Sequence, residues 1–293
     1  MKVSVVIPTL RRPVALERTL ESVMATNPAP KEILVVDGDA EGSARAVVDK
    51  VATRTEGMPI RYLRSEPGLT RQRNVGVREV DGDLILFLDD DVILLSTDFF
   101  ALLMKAYEDD SVVGVTGRVI ETSPRRFGGK VSLLRNLLPG GGREGTFTRF
   151  GYPRRVQQET QAMDVEFMQG CLMSARRHLV EELRFDEELP GYGLAEDEDF
   201  SYRLSRRGRI RYEPSISLRH ENTGFTSHDQ RAFGRLVVTN RTYLFRKNFR
   251  RTRLARLQFG MLICILVGHR LVNREWSGAR GLLEGAAVAW RNK

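Results

Sequence analysis

The sequence predicts an α/β fold: a mostly parallel, Rossmann-like sheet flanked by helices, with a helical extension at its C-terminal end. Three observations carry that prediction. Short apolar runs alternate with amphipathic stretches through the first half of the chain. One of those runs, Leu84 to Leu88, ends abruptly in three adjacent carboxylates, Asp89-Asp90-Asp91. From about Asp229 onward the chain reads as helix almost to its end.

Taken in order, Val3 to Ile7 is a β-branched strand stopped by Pro8. Pro13 to Ala25 has helical periodicity, with Leu16, Leu20, Val23 and Met24 on one face. A second strand, Glu32 to Val36, leads to a turn at Asp37-Gly38-Asp39 and a helix through about Glu56. Ile60 to Leu63 and Leu69 to Val80 repeat the pair, and Leu84 to Leu88 is the fourth strand. Apolar strands separated by amphipathic helices imply a parallel sheet covered on both faces. Ligands bind such sheets outside the C-terminal strand ends, so Asp37 and Asp89 are expected to converge there. Residues 121–162 differ, being rich in Gly, Arg and Ser around Gly140-Gly141-Gly142, as in a functional loop or a disordered segment. The C-terminal helix breaks near Thr252 and Asn273.

The 293 residues can bury a core without disulfides. The two cysteines, Cys171 and Cys264, form no C-x-x-C pair, which points to a reducing compartment and away from structural zinc. The apolar run after Met1-Lys2 is too short for a signal-peptide core, so a cytoplasmic protein is expected. The net charge of +8 is concentrated between Arg231 and Arg256, where nine basic residues meet no acid. Phe259 to Gly268 then reads as strongly apolar but about half a bilayer span. That sequence fits a helix lying on an anionic membrane surface, or else one packed on the core. Nucleic acid is disfavoured, because the Arg run contains no reading motif.

Adjacent carboxylates at a strand end raise one another's pKa and repel. A divalent cation bridging to a phosphate turns that cost into a binding site. The plainer alternative is a solvated turn in which an Asp caps the next helix. A second cluster, Glu196-Asp197-Glu198-Asp199, opens an amphipathic stretch carrying Phe200 and Leu204 and ending at Gly208. The helix dipole favours acids there, which accounts for Asp199 as well as function does. Four in succession exceed that need, and one beside an electrophile can accept a proton from an attacking hydroxyl. Arg71, Arg73 and Asn74 open the third helix, where either arginine could grip a diphosphate or simply be solvated. Gly170, in Met168-Gln169-Gly170-Cys171, permits a sharp turn or close approach to a ligand. His220 follows a short strand, while His178, His228 and His269 lie on helical patterns and receive no role.

Several of these segments, in this order, resemble family 2 glycosyltransferases: Val5-Val6-Ile7-Pro8-Thr9, Val35-Val36-Asp37-Gly38, Arg71-Gln72-Arg73-Asn74-Val75-Gly76, Leu88-Asp89-Asp90-Asp91, and Glu196-Asp197-Glu198-Asp199-Phe200 with Arg203-Leu204. Phe185-Asp186-Glu187 before Tyr192-Gly193, and Tyr243 to Asn248, match the same pattern, so the resemblance covers roughly residues 1–250. It implies a GT-A catalytic domain over 1–227, with a nucleotide-binding half near 1–120 and an acceptor half near 121–227. Basic, amphipathic helices follow over 228–293. It implies inverting transfer from a nucleoside-diphosphate sugar, with Mg²⁺ or Mn²⁺ bridging the diphosphate. By resemblance Asp89 and Asp91 form the D-x-D pair, Asp91 binding the metal directly and Asp89 lying nearer the ribose. His220 would be a third ligand, and Asp197 the catalytic base. Asp37 would reach the nucleobase, and Pro8, Thr9, Arg11, Arg71, Asn74 and Asp90 would surround the nucleotide. Glu196 and Gly170 would face the acceptor.

There are departures from the family pattern. Asp37-Gly38-Asp39 replaces the common Asp-Asp-Gly-Ser, which leaves open which aspartate reads the base. The acceptor-side Gln-x-x-Arg-Trp is absent, which favours addition of a single sugar over processive synthesis. UDP is the commonest donor base among relatives, with dTDP and GDP also compatible. The expected acceptor is a lipid-linked or polysaccharide hydroxyl at the cytoplasmic face of the cell membrane. Two other readings compete. A nucleotidyltransferase is opposed by the glycine-free Thr9-Leu10-Arg11-Arg12-Pro13, and a non-catalytic membrane-bound scaffold by the intact carboxylates.

Overall fold

The computed structural model describes residues 1–54, 58–122, 143–156, 160–189, 193–221 and 229–291. The chain divides into two compact units: residues 1–123, 156–187 and 196–223 form the first, and 124–155, 188–195 and 224–293 the second. The glycines at 140–142, Tyr192 and His228 lie outside the described residues.

The first unit begins with strands β1 (Val3–Thr9), β2 (Glu32–Asp37), β3 (Ile60–Arg64) and β4 (Leu84–Leu88). Helices α1 (Pro13–Met24), α2 (Arg45–Ala52) and α3 (Leu69–Glu79) alternate with them. These strands pair in parallel in the order β3-β2-β1-β4. Successive side chains point to opposite faces. Val3, Val5, Ile7, Leu84, Leu86 and Leu88 therefore enter one core, with Leu16 and Leu20 of α1 and Val48 of α2. Val6, Ile85 and Phe87 enter the other, with Val77 of α3. Burial on both faces is why β1, β2 and β4 read as apolar runs, whereas β3, at the end of the strand order, is only partly buried.

The rest of the sheet is mixed rather than mostly parallel. Strands β5 (Val92–Leu94), β6 (Val112–Glu121), β7 (Met163–Val165), β8 (Leu172–Arg176) and β9 (Arg209–His220) extend the order to β3-β2-β1-β4-β8-β6-β9-β5, with β7 beside β9. β8 runs antiparallel to β4 and β6, while β9 is parallel to β6 and antiparallel to β5. Helices α4 (Phe99–Ala106), α5 (Arg177–Leu183) and α6 (Glu196–Ser205) complete the cover. Along β6 and β9 the register jumps: Gly117 pairs with Glu213, but Arg118 pairs with Ser217. Pro214 sits in the bulge, where no ladder N–H is required. A Cβ on Gly117 would meet the Ile216 carbonyl oxygen at 1.9 Å, so only glycine admits this approach. Beyond the bulge, His220 pairs with both Val92 and Glu121.

The second unit contains α7 (Gln230–Asn248), α8 (Arg253–Val272) and α9 (Trp276–Arg291), broken where the sequence predicts. Asp229 caps α7, and Thr252 caps α8 by accepting from the Ala255 N–H at 3.1 Å. Phe245 stacks on Phe259 at 4.8 Å, and Phe150, Ala255 and Leu262 join them in a small core. α8 runs from Arg253 to Val272 and so extends past the apolar run Phe259–Gly268 at both ends. Its 20 residues are long and apolar enough to cross a membrane, yet 33% of its most apolar stretch is buried within the protein.

Candidate active site

Asp89 follows the last residue of β4, and Val92 opens β5, so the three aspartates form the link between two strands. The pairing of Val92 with His220 sets the imidazole beside that link. His220 Nε2 lies 3.0 Å from Asp91 Oδ1 and 4.0 Å from Asp89 Oδ2. One ligand atom from each of Asp89, Asp91 and His220 lies within 4.8 Å of the others. Two carboxylate oxygens and one imidazole nitrogen form a donor set that could hold a divalent cation. His220 Nδ1 faces Glu121 Oε2 at 3.3 Å, an outer carboxylate of the kind that orients metal-binding imidazoles.

Burial opposes charge on His220, but hydrogen bonds to Asp91 and Glu121 and the charge of Asp89 outweigh it and raise its pKa to about 10. The protonated ring supplies positive charge where a divalent ion would supply it instead. Asp89 keeps 29% of its side chain exposed, yet the protein packed around it pushes its pKa up against the pull of Arg73 and His220. Asp90 is tied to β1 instead. It accepts from Thr9 Oγ1 at 2.6 Å and Arg12 Nη1 at 3.1 Å, and Arg12 also reaches Asp91 at 3.2 Å. Burial still raises Asp90 to about 6.

The second acidic cluster meets the first through Arg73, which is fully buried. Its guanidinium donates to Glu196 Oε1 at 2.7 Å, to the Gly170 carbonyl at 2.8 Å and to Asp89 Oδ1 at 3.3 Å. It lies over the Phe185 and Phe87 rings, 5.2 and 5.9 Å from their centroids. Burial, then the charge of Asp197, push Glu196 well above the usual carboxylate range. Asp197 accepts from the Gly170 N–H at 3.1 Å and the Glu198 N–H at 2.8 Å. Gly170 thus bonds Asp197 through its N–H and shares Arg73 with Glu196, and a Cβ on it would stand 3.1 Å from Glu196 Oε1. Asp199, almost fully buried, pairs with Arg203 at 2.7 Å, which is a purely structural engagement within α6.

At the ends of β1 and β2, Asp37 is fully buried and accepts from the Asp39 N–H at 2.9 Å, the Ala44 N–H at 3.1 Å and the Tyr62 hydroxyl at 3.2 Å. Its carboxylate builds the turn after β2. Asp39 faces Arg11 at 3.2 Å, and Arg11 is 72% exposed with a φ of 57°, uncommon outside glycine. Pro8 lies buried in register with Val36. Gln72 donates to the carbonyls of both Thr9 and Val36 at 2.8 Å and holds the two strand ends together. Asn74 does not reach this edge. Its amide donates to the Phe185 carbonyl and Glu187, and its oxygen accepts from the Phe185 N–H, all at 2.8 Å. It is a buried strut between α3 and the Phe185–Glu187 segment. Arg71 is half-exposed and reaches Glu187 at 3.6 Å, so Arg73 is the arginine that enters the site. Sequence reasoning missed Glu121, Arg12 and Gln72. Arg73 carried a usable signal, since it precedes the buried Val77 by one helical repeat.

Residues 4–184 match the family model described as Glycosyl transferase family 2, and the chain belongs to that family. Over 110 residues it is 31% identical to the GalNAc(5)-diNAcBac-PP-undecaprenol beta-1,3-glucosyltransferase of Campylobacter jejuni, covering 36% of this chain and 35% of that protein. An uncharacterized glycosyltransferase of Bacillus subtilis, YwdF, is 38% identical over 102 residues, 34% of each chain. The chain thus spans about a third of the length of these curated relatives. Among solved structures it is similar to a mannosyltransferase from Pyrobaculum calidifontis in complex with GDP-Man and Mn²⁺. There the TM-score is 0.65 at 16% identity, covering 100% of this chain and 88% of that one. It is also similar to GalNAc-T7 with UDP, GalNAc and Mn²⁺, with a TM-score of 0.60 at 19% identity and coverage of 82% and 48%. These likenesses establish the GT-A fold.

Proposed function

We propose that this protein is an inverting glycosyltransferase that moves one sugar from a nucleoside-diphosphate sugar to a hydroxyl of a lipid-linked or glycan acceptor. The observation that carries the reading is the Asp89-Asp91-His220 donor set, joined through Arg73 and Gly170 to Asp197. Those three residues would hold a divalent ion, Mg²⁺ or Mn²⁺, which would supply charge neutralisation for the diphosphate. Asp197 is the base. Held by two backbone N–H groups, its carboxylate takes the proton of the acceptor hydroxyl. The acceptor oxygen bonds to the anomeric carbon as the bond from that carbon to the diphosphate oxygen breaks, and a single displacement inverts the centre. Arg73 keeps Asp89 and Glu196 in fixed relation while this occurs.

Thr9, Pro8, Arg11 and Asp90 border the strand edge on which the nucleotide is proposed to lie, with Asp37 and Gln72 shaping that edge from behind. UDP is the first donor base to test, followed by GDP and dTDP. The Campylobacter relative's name specifies an undecaprenol-linked acceptor, which supports a lipid-linked acceptor here; a peripheral position on the cytoplasmic face of the cell membrane is part of the same proposal. Calorimetry of the three nucleoside diphosphates with and without Mn²⁺, on the wild type and Asp91→Ala, tests the reading. Metal-dependent binding of one nucleotide, lost in the variant, is expected. Absence of binding under every condition would leave the scaffold reading in its place.

A further inference from the structure

Helix α8 has two unlike faces. Ala255, Phe259, Leu262 and Arg270 are buried within the second unit. At about 100° per residue, Leu254, Leu257, Met261, Cys264, Gly268 and Val272 fall within roughly 80° of one another on the opposite face. Leu254, Leu257, Met261 and Val272 are 50%, 63%, 42% and 72% exposed, and Cys264 is exposed too. Nothing lies within 4 Å of the position a Cβ would take on Gly260 or Gly268, so this side of the helix is open. Past its end, Trp276 is 66% exposed.

The charge beside this stripe is one-sided. Arg250, Arg251, Arg253 and Arg256 are exposed at its N-terminal end and have no carboxylate partner among the described residues. Between Asp229 and Glu275 the sequence contains no acid at all. Exposed leucines edged by unpaired arginines, with a tryptophan at the far end, match the chemistry of an anionic leaflet: acyl chains beneath, phosphates at the rim. A spanning position does not fit. The buried face carries Gln258 and Arg270, and Arg270 is bonded to Gln230 and Glu275, polar groups that hydrocarbon would not tolerate.

We infer that α8 docks the protein on anionic phospholipid bilayers by lying in the plane of the leaflet, with the Leu254–Val272 stripe inserted and the four arginines on lipid phosphates. The inference rests on the membrane part of the proposed function and makes no use of the donor set, so nucleotide binding measured on the same sample reads the transferase part separately.

The test is flotation of the full chain with vesicles of phosphatidylcholine alone, or mixed with phosphatidylglycerol. Binding to the mixed vesicles only, weakened by salt, is expected. Arg253→Ser with Arg256→Ser should weaken it roughly 25-fold, about fivefold per arginine. Leu257→Glu with Met261→Glu should abolish it while nucleotide affinity, which reports folding, is unchanged. Cys264 is exposed and Cys171 buried, so a maleimide fluorophore goes to the stripe. In-plane docking puts that dye about 5–10 Å deep, and quenchers placed high on the acyl chain should outdo those near its end. The reverse order would mean a spanning helix and overturn the inference. So would failure to float, equal binding to neutral vesicles, equal affinity for DNA, or a solution dimer that masks Cys264.

Discussion

With His220 as a ligand in the proposed metal site, metal binding becomes a proton-exchange reaction. In the metal-free protein its pKa stands near 10, held there against burial by Asp91, Glu121 and Asp89. A metal ligand must be the neutral imidazole, so each ion bound in the neutral pH range displaces one proton from this ring. The affinity for Mn²⁺ should therefore rise about tenfold per pH unit between pH 6.5 and 9, or about 1.4 kcal/mol per unit. The assay is Mn²⁺ calorimetry at several pH values, in buffers of different ionisation heat, which counts the protons directly. His220→Asn should bind Mn²⁺ more weakly and flatten the slope. The same linkage fixes the pH dependence of metal-free stability. A pKa raised from 6.5 to about 10 contributes stability that is fully present below 6.5 and lost as pH rises through 10. That loss amounts to at most about 5 kcal/mol. Metal affinity independent of pH in the wild type, with no proton released, would refute the arrangement of His220 among these carboxylates.

Other outcomes follow from the same geometry. Asp197→Asn should lower turnover by roughly 100- to 10,000-fold with little change in nucleotide Kd, measured by steady-state kinetics alongside calorimetry. Asn74→Ala leaves the Phe185 N–H and carbonyl without their partners, and should cost roughly 2–4 kcal/mol in denaturant unfolding while sparing nucleotide affinity. Gly117→Ala forces a methyl group onto the Ile216 carbonyl. It should destabilise the protein by about 1–3 kcal/mol or more and weaken Mn²⁺ binding as well, because the shifted strand carries His220.

What could be read in advance was whatever a segment's own chemistry dictates. Strands β1, β2 and β4 are buried on both faces, so their apolar runs announce them, and the abrupt change after Leu88 announces the aspartates. The breaks at Thr252 and Asn273 were legible from capping residues. Strand direction was not: β8 and β9 owe their partners to residues far away in the chain, and nothing within Leu172–Arg176 says that it opposes β4. Side-chain direction set the other limit. Asn74 and Arg73 are neighbours in one motif, yet the helix turns one to Phe185 and the other to Glu196. Asp37 reads as an acid at the strand edge, and what the sequence did not show is that two backbone N–H groups and the Tyr62 hydroxyl converge on its carboxylate. Glu121 gave no sign of itself, because its role depends on the β6–β9 register beyond the bulge.

The central claim is glycosyl transfer with Asp197 as base, and product analysis tests it most directly. The nucleotide sugar matching the bound nucleotide would be incubated with a membrane-lipid extract and Mn²⁺, and the new glycosidic linkage assigned by NMR. The wild type should give a product of inverted anomeric configuration, and Asp197→Asn none above background despite its intact nucleotide binding. A product of retained configuration, or undiminished transfer by the variant, would contradict that claim.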